Sequence, residues 1–254
     1  SYMYWENNEQ DTTGNEVTGL YPDDMDLDND GNTTEKFSHK QVKYLFSPPL
    51  ELILTKDSKR ADAAATQYST VTTADSEQMV DYQLNIFNNS NGTTSGLTFF
   101  DILPHVGDKS VLPNSLGQYT DRGSTYGVKL AGPVVPVPGY TFYYSTDPVT
   151  EGNINANVIG ASWATSVADY SQVTMIKAVM NPGYSLGRGA TDLISFKVKM
   201  PNTTALAAND KAVNTFAGFA GNNYNGGVEA LNNIVVPKKY KISGKVYYDV
   251  PAIG

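Results

Sequence analysis

The stretch from Met79 to Phe87 alternates without a break. Val80, Tyr82, Leu84 and Ile86 fall on one side, and Asp81, Gln83 and Asn85 on the other. A period of two is the mark of a half-buried β-strand. Asn88 to Ser95 follows, a polar run holding Asn91-Gly92, the strongest short turn signal. Then comes Gly96 to Leu103 (GLTFFDIL), a second apolar run ended by Pro104. Strands with one apolar face must bury that face against another layer, so the local pattern already demands a layered β architecture.

The rest of the chain repeats this grammar. Leu50 to Thr55 (LELILT), Tyr140 to Ser145 (YTFYYS), Val173 to Met180, Thr191 to Met200 and Ala212 to Phe219 read as further strands, with Tyr240 to Asp249 as the last. The 17 Tyr, 9 Phe, 22 Gly and 13 Pro fit strands punctuated by turns. Sustained helical periodicity is absent, and the Ala-rich stretch from Thr203 to Ala212 reads as a loop or a single turn. The expectation is an all-β sandwich with mostly sequential antiparallel pairing and few short helices. Pro104 to Gly139 is longer than an ordinary connection and is a place where function could reside. Gly221 to Gly227 (GNNYNGG) lacks the strand-to-helix setting of a phosphate loop and reads as a hairpin tip.

Composition narrows the function classes. The 254 residues are 40% hydrophobic and 17% charged, enough for a packed core and unlike a disordered chain. The net charge of −8 disfavours nucleic acid as a partner. There is no cysteine, hence no disulfide and no thiolate metal site. No apolar run is long enough to span a membrane. The chain begins at Ser1 without a signal peptide and reads as a piece of a longer protein. Residues 1–47 differ from the remainder, being rich in Asp and Asn and poor in aliphatics. We read them as an irregular acidic segment packed on a main domain of residues 48–237, with residues 238–254 as a terminal strand or the start of a following module. Within the segment, Asp26-x-Asp28-x-Asp30-Gly31 is the opening half of a calcium loop. The closing ligand of an EF-hand would fall on Phe37, which cannot ligate, and Glu35 lies two positions early. Calcium on Asp26, Asp28 and Asp30 therefore competes with a plain solvated acidic turn.

Six of the strand segments carry a resemblance. Val80 to Asn88 (VDYQLNIFN), Leu97 to Pro104 (LTFFDILP), Tyr140 to Pro148 (YTFYYSTDP), the segment around Trp163, Val173 to Val179 (VTMIKAV) and Ala212 to Phe219 (AVNTFAGF) resemble, in order, the DUF11-like, immunoglobulin-related domains of Gram-positive cell-wall-anchored adhesins. The likeness covers roughly residues 50–236. Ile242 to Asp249 (ISGKVYYD) resembles the opening strand of the B-type repeats of Ser-Asp-rich staphylococcal adhesins; an LPxTG sorting motif is not present. The resemblance implies an immunoglobulin-like sandwich on the outside of a Gram-positive cell. It also implies an autocatalytic isopeptide bond between a Lys on an early strand and an Asn near the last, promoted by an acid on a middle strand. The matching positions are Lys56, Asn214 and Asp101, with Phe99, Phe100, Phe216 and Phe219 as an apolar jacket. The reaction needs a neutral amine, a protonated acid and enforced contact between them, all of which burial in a rigid fold can supply. Each residue also has an ordinary reading: a solvated Lys at a strand end, an Asp capping a turn, an Asn at an edge. Lys59 is an alternative donor and Asn88 a weaker alternative acceptor.

Enzymatic readings find little to hold. His39 and His105 are far apart, and neither G-x-S-x-G nor H-E-x-x-H occurs. Acid pairs abound, yet nothing singles one out, Asp192 and Glu229 included. Three classes stay open: an adhesive domain for a host protein or glycan, a structural stalk module, and a carbohydrate-binding or glycoside-active module. Tyr119, Tyr126, Tyr184 and Tyr224 are candidate contact residues, because aromatics dominate binding hot spots. Tyr143, Tyr144, Trp163 and Tyr170 extend that set, though Tyr143 and Trp163 are better suited to packing between sheets. The piece is expected to be a monomer.

Overall fold

The computed structural model describes residues 2–5, 21–22, 31, 33, 36–39, 52–64, 66–221 and 223–238. The chain divides into two units, Ser1–Ser47 and Pro48–Gly254. In the first, β1 (Tyr2–Trp5), β2 (Tyr21–Pro22) and β3 (Lys36–His39) form an antiparallel sheet in the order β1-β3-β2. The segment read as irregular thus contains regular structure. The β1–β3 pairing runs from Tyr2 opposite His39 to Trp5 opposite Lys36, a separation no local periodicity announces. Asp26, Asp28 and Asp30 lie outside the described residues, as does Tyr240 to Asp249.

The second unit is an all-β sandwich of two packed sheets. Its strands are β4 (Leu52–Arg60), β5 (Val71–Thr73), β6 (Met79–Asn88), β7 (Thr94–Ser95), β8 (Leu97–Ile102) and β9 (Lys129–Leu130). There follow β10 (Tyr140–Ser145), β11 (Met175–Met180), β12 (Ser185–Leu186), β13 (Thr191–Lys199), β14 (Lys211–Ala220) and β15 (Asn223–Val235). One sheet has the order β10-β11-β8-β14-β15-β5, antiparallel except for the parallel β15–β5 pair. The other is antiparallel, in the order β4-β6-β13-β9. β7 and β12 form a short two-stranded ribbon. Among the described residues helical structure is confined to short segments, at Ala156–Gly160 and Tyr170–Gln172.

The alternation of β6 does what its pattern requires. Val80, Tyr82, Leu84 and Ile86 are buried in the core between the sheets, beside Ile194, Phe196 and Val198 of β13. The six-stranded sheet contributes Leu97, Phe99, Tyr140, Tyr144, Ile176, Ala178 and Phe216 from its inner face. Its outer face is covered too. Phe100, Ile102, Met175, Ala217 and Phe219 pack there against Val111, Leu112, Ile154 and Val158 from the long connections. Every residue of β8 is therefore buried, as are Ala212 to Phe219 of β14. Gly218 is required by this packing, since a Cβ there would stand 2.7 Å from the Phe99 ring.

Two features depart from the sequence reading. β4 does not end at Thr55 but runs to Arg60, so Lys56 lies inside a strand. The stretch read as a hairpin tip belongs for the most part to β15, the longest described strand of the sandwich; of its described residues only Gly221 lies in the turn.

Candidate cross-linking site

Strand geometry sets the site. Along β4 the inward positions are Leu52, Leu54, Lys56 and Ser58. The first two bury side chains as expected, but the third sends an amine into the core, where Lys56 is 1% exposed. On β8 the inward set is Leu97, Phe99 and Asp101, and Asp101 is 3% exposed. Lys56 Nζ donates a hydrogen bond to Asp101 Oδ2 across the two sheets, forming an ion pair with both side chains out of solvent. In the sheet register Asp101 stands opposite Phe216 of β14. Asn214 is two residues before Phe216, hence on the same inward face, and it is wholly buried.

Aromatic rings wall this space. Lys56 Nζ lies 4.9 Å from the Tyr82 ring centroid, 5.5 Å from Phe196 and 5.7 Å from Phe216. Of the expected jacket, Phe216 and Phe99 are on this side; Phe100 and Phe219 face the other core. Burial pulls the Lys56 pKa down from 10.5 to about 8, against the opposing pull of the Asp101 charge.

The polar atoms around the pair are incompletely satisfied. Asp101 Oδ1, the Tyr82 hydroxyl and both Asn214 amide atoms are buried without a hydrogen-bond partner. Each such orphan costs about 1–3 kcal/mol, so a cluster of four is not what stability alone would select. Asn232 is the instructive contrast. It faces Asn214 across the β14–β15 pair and is equally buried. Its Oδ1 accepts from Ser58 Oγ at 2.6 Å, and its Nδ2 donates to Ser69 O at 2.8 Å and Lys56 O at 3.2 Å. One asparagine is a finished structural element; the other is not.

The alternative residues are engaged elsewhere. Lys59 Nζ donates to Asp81 Oδ2 at 3.1 Å. Asn88 Nδ2 donates to Gly92 O and Leu186 O, and its Oδ1 accepts from Ser90 N, closing the turn after β6. Neither is near a free acid–amide pair.

The remaining candidates are tied into the fold as well. Tyr126 is buried in the core, its hydroxyl donating to Ile234 O at 2.9 Å, which removes it from any surface. The half-buried Tyr119 hydroxyl accepts from Ile154 N. Tyr184 and Tyr140 both donate to Asp192. Half-buried Tyr224 sets its ring edge-on to Phe219. Trp163 packs edge-on to Phe100 and lies 4.2 Å from Lys177 Nζ, covering the outer core rather than the inter-sheet one. Tyr143 likewise looks outward, opposite Lys177 in the register. Glu229 accepts from Val111 N and Leu112 N, pinning the long connection. Among the described residues no three His, Cys, Asp or Glu side chains gather as a metal site, and no helix is long and apolar enough to cross a membrane.

A cluster that the sequence did not reveal lies on the outer face of β8 and β14. Buried Arg122 pairs with buried Asp108 at 3.0 Å and donates to Ile102 O. Asp108 also accepts from Ser124 Oγ at 2.7 Å. It ties the long connection to the sheet.

No family model and no curated protein matches the chain. Among solved structures it is similar in fold to the major pilin subunit of Bacillus cereus. Identity is 11% and the TM-score 0.33, over 73% of this chain and 40% of that one. The collagen-binding domain of a Staphylococcus aureus adhesin matches at 13% identity and TM-score 0.29, over 73% and 97%. A protein that catalyses macrocyclization in alchivemycin A biosynthesis matches at 7% and 0.30, over 76% and 92%. The chain spans about half or less of the first matched structures.

Proposed function

We propose that this chain is a non-enzymatic module of a Gram-positive surface adhesin, locked by an isopeptide bond between Lys56 and Asn214, with Asp101 moving the protons. The observation that carries this reading is the buried Lys56–Asp101 pair beside an asparagine amide with no other use. The ordered strand resemblance supplies the surface setting.

The chemistry balances without an outside reagent. A proton passes from the Lys56 ammonium to Asp101, leaving an amine and a carboxylic acid. The amine nitrogen adds to Asn214 Cγ. Asp101 takes a proton from the attacking nitrogen and gives one to the departing Nδ2. The Cγ–Nδ2 bond breaks and ammonia leaves, so one amide replaces another. Holding the groups together replaces an intermolecular encounter with an internal one, the largest gain available to a site without cofactors.

Intact-mass measurement tests it. The purified chain should be one ammonia lighter than its sequence, and fragmentation should join the peptides holding Lys56 and Asn214. Lys56→Ala and Asp101→Ala should each carry the full mass. A wild-type chain at its full sequence mass sinks the cross-link.

The ligand class is a host protein or glycan, to be found by array screening of the purified chain. A stalk role is a specific rival, favoured by the burial of Tyr126 and by the hydrogen bonds and ring contact that tie half-buried Tyr119, Tyr184 and Tyr224 to the fold. Array screens that stay blank, with the mass loss present, would select the stalk. The extracellular, wall-anchored placement and calcium on Asp26, Asp28 and Asp30 belong to the same proposal; calorimetry with and without chelator checks the metal.

A further inference from the structure

The cross-link proposed above needs more than an acid, because an amide carbonyl is a poor electrophile and negative charge builds on its oxygen as the amine adds. Asp101 is occupied by Lys56 through Oδ2. A second donor would have to come from another wall of the same space. Tyr82 is placed to be that donor. It sits on β6, opposite Ser58 of β4 and Phe196 of β13, and is wholly buried. Its ring contacts the Lys56 amine at 4.9 Å from the centroid, and its hydroxyl has no hydrogen-bond partner. Asp101 and Asn214 are both among the groups acting on that hydroxyl.

We propose, resting on the isopeptide reading, that the Tyr82 hydroxyl donates a hydrogen bond to Asn214 Oδ1 during amine addition, stabilising the oxyanion while Asp101 handles the proton transfers. Tyr82 is then a catalytic residue of the self-reaction. It keeps its proton throughout: it stabilises the charged oxygen and releases it when the carbonyl re-forms with loss of ammonia. Burial, followed by the Asp101 charge, raises the Tyr82 pKa well above its ordinary value, which suits a group that must donate without ionising. Tyr82→Phe keeps the ring against the Lys56 amine and removes only the hydroxyl, so it isolates the chemical role.

The test uses the full chain, collected unfolded in denaturant before the bond can form, then diluted to fold and followed by intact mass. Tyr82→Phe should fold, as judged by circular dichroism, and lose ammonia about 100-fold more slowly or worse, the loss typical of one oxyanion donor. Phe196→Leu, which loosens the same aromatic wall and spares the hydroxyl, should remain much closer to wild type. Cross-linking of Tyr82→Phe at the wild-type rate overturns the assignment, and so does equal slowing in Phe196→Leu. Should the wild-type chain never lose ammonia, the isopeptide reading itself falls, a result distinct from either.

Discussion

At the scale of single residues, the two inward asparagines make opposite predictions. The Asn214 side chain makes no well-formed hydrogen bond and has only the Tyr82 hydroxyl to interact with, so Asn214→Ala should keep the sandwich and abolish the mass loss. Asn232→Ala removes three hydrogen bonds and should cost about 1–3 kcal/mol in a urea titration, while ammonia is still lost. With Asn214→Ala the Lys56 amine stays free, and its lowered pKa makes stability depend on pH. Between about 8 and 10.5 the unfolded chain binds the proton that the folded chain has given up. Stability contributed by Lys56 therefore rises with pH through that window and is constant and unfavourable below it. Buried tyrosines, whose pKa values are raised, oppose the gain once the pH passes about 10. Urea midpoints of Asn214→Ala should climb from pH 8 to 10 relative to those of Asn214→Ala/Lys56→Met; coincident slopes would contradict the buried amine.

At the scale of elements, β8 and β14 depend on both of their covered faces. The outer cover is held by Glu229, which accepts two backbone N–H groups, and by the Arg122–Asp108 pair. Asp108→Ala would leave a buried guanidinium unpaired and should cost about 3–5 kcal/mol. Limited proteolysis should then cut within residues 104–139 while the wild-type chain resists. The strands that the sequence made plain are those whose apolar positions alternate or run together: β6, β8, β10, β11, β13 and β14. β15 escaped because Gly226, Gly227 and its asparagines read as turn residues, whereas Asn232 is bonded inside the core. β4 was cut short for a related reason. The charges from Lys56 to Arg60 look like a solvated end, and only the partner on β8 explains one of them. Lys56, Asp101 and Asn214 were singled out through the family likeness, and the structure brings Lys56 and Asp101 together; Tyr82 was visible as core alone, because the setting of a buried hydroxyl has no sequence signature.

For the molecule as a whole, the Lys56–Asn214 bond would close a loop over most of the sandwich. By analogy with disulfides, restricting so long a loop is worth about 4–5 kcal/mol. The wild-type chain should melt roughly 10–20 °C above Asn214→Ala, with no response to reductant. Scanning calorimetry of the two, with and without dithiothreitol, checks this. The strand order carries a further consequence, one of timing. β14 lies between β8 and β15 in the middle of the six-stranded sheet, although it is next to last among the described strands of the sandwich. Phe99, Phe100 and Asp101 must wait for a neighbour encoded more than a hundred residues later. At about 10 residues per second of synthesis, that interval lasts roughly 10 s. The sheet therefore cannot close on a growing chain until β14 has emerged. Asn214 arrives with that strand, so ammonia release would mark a sandwich whose six-stranded sheet has closed.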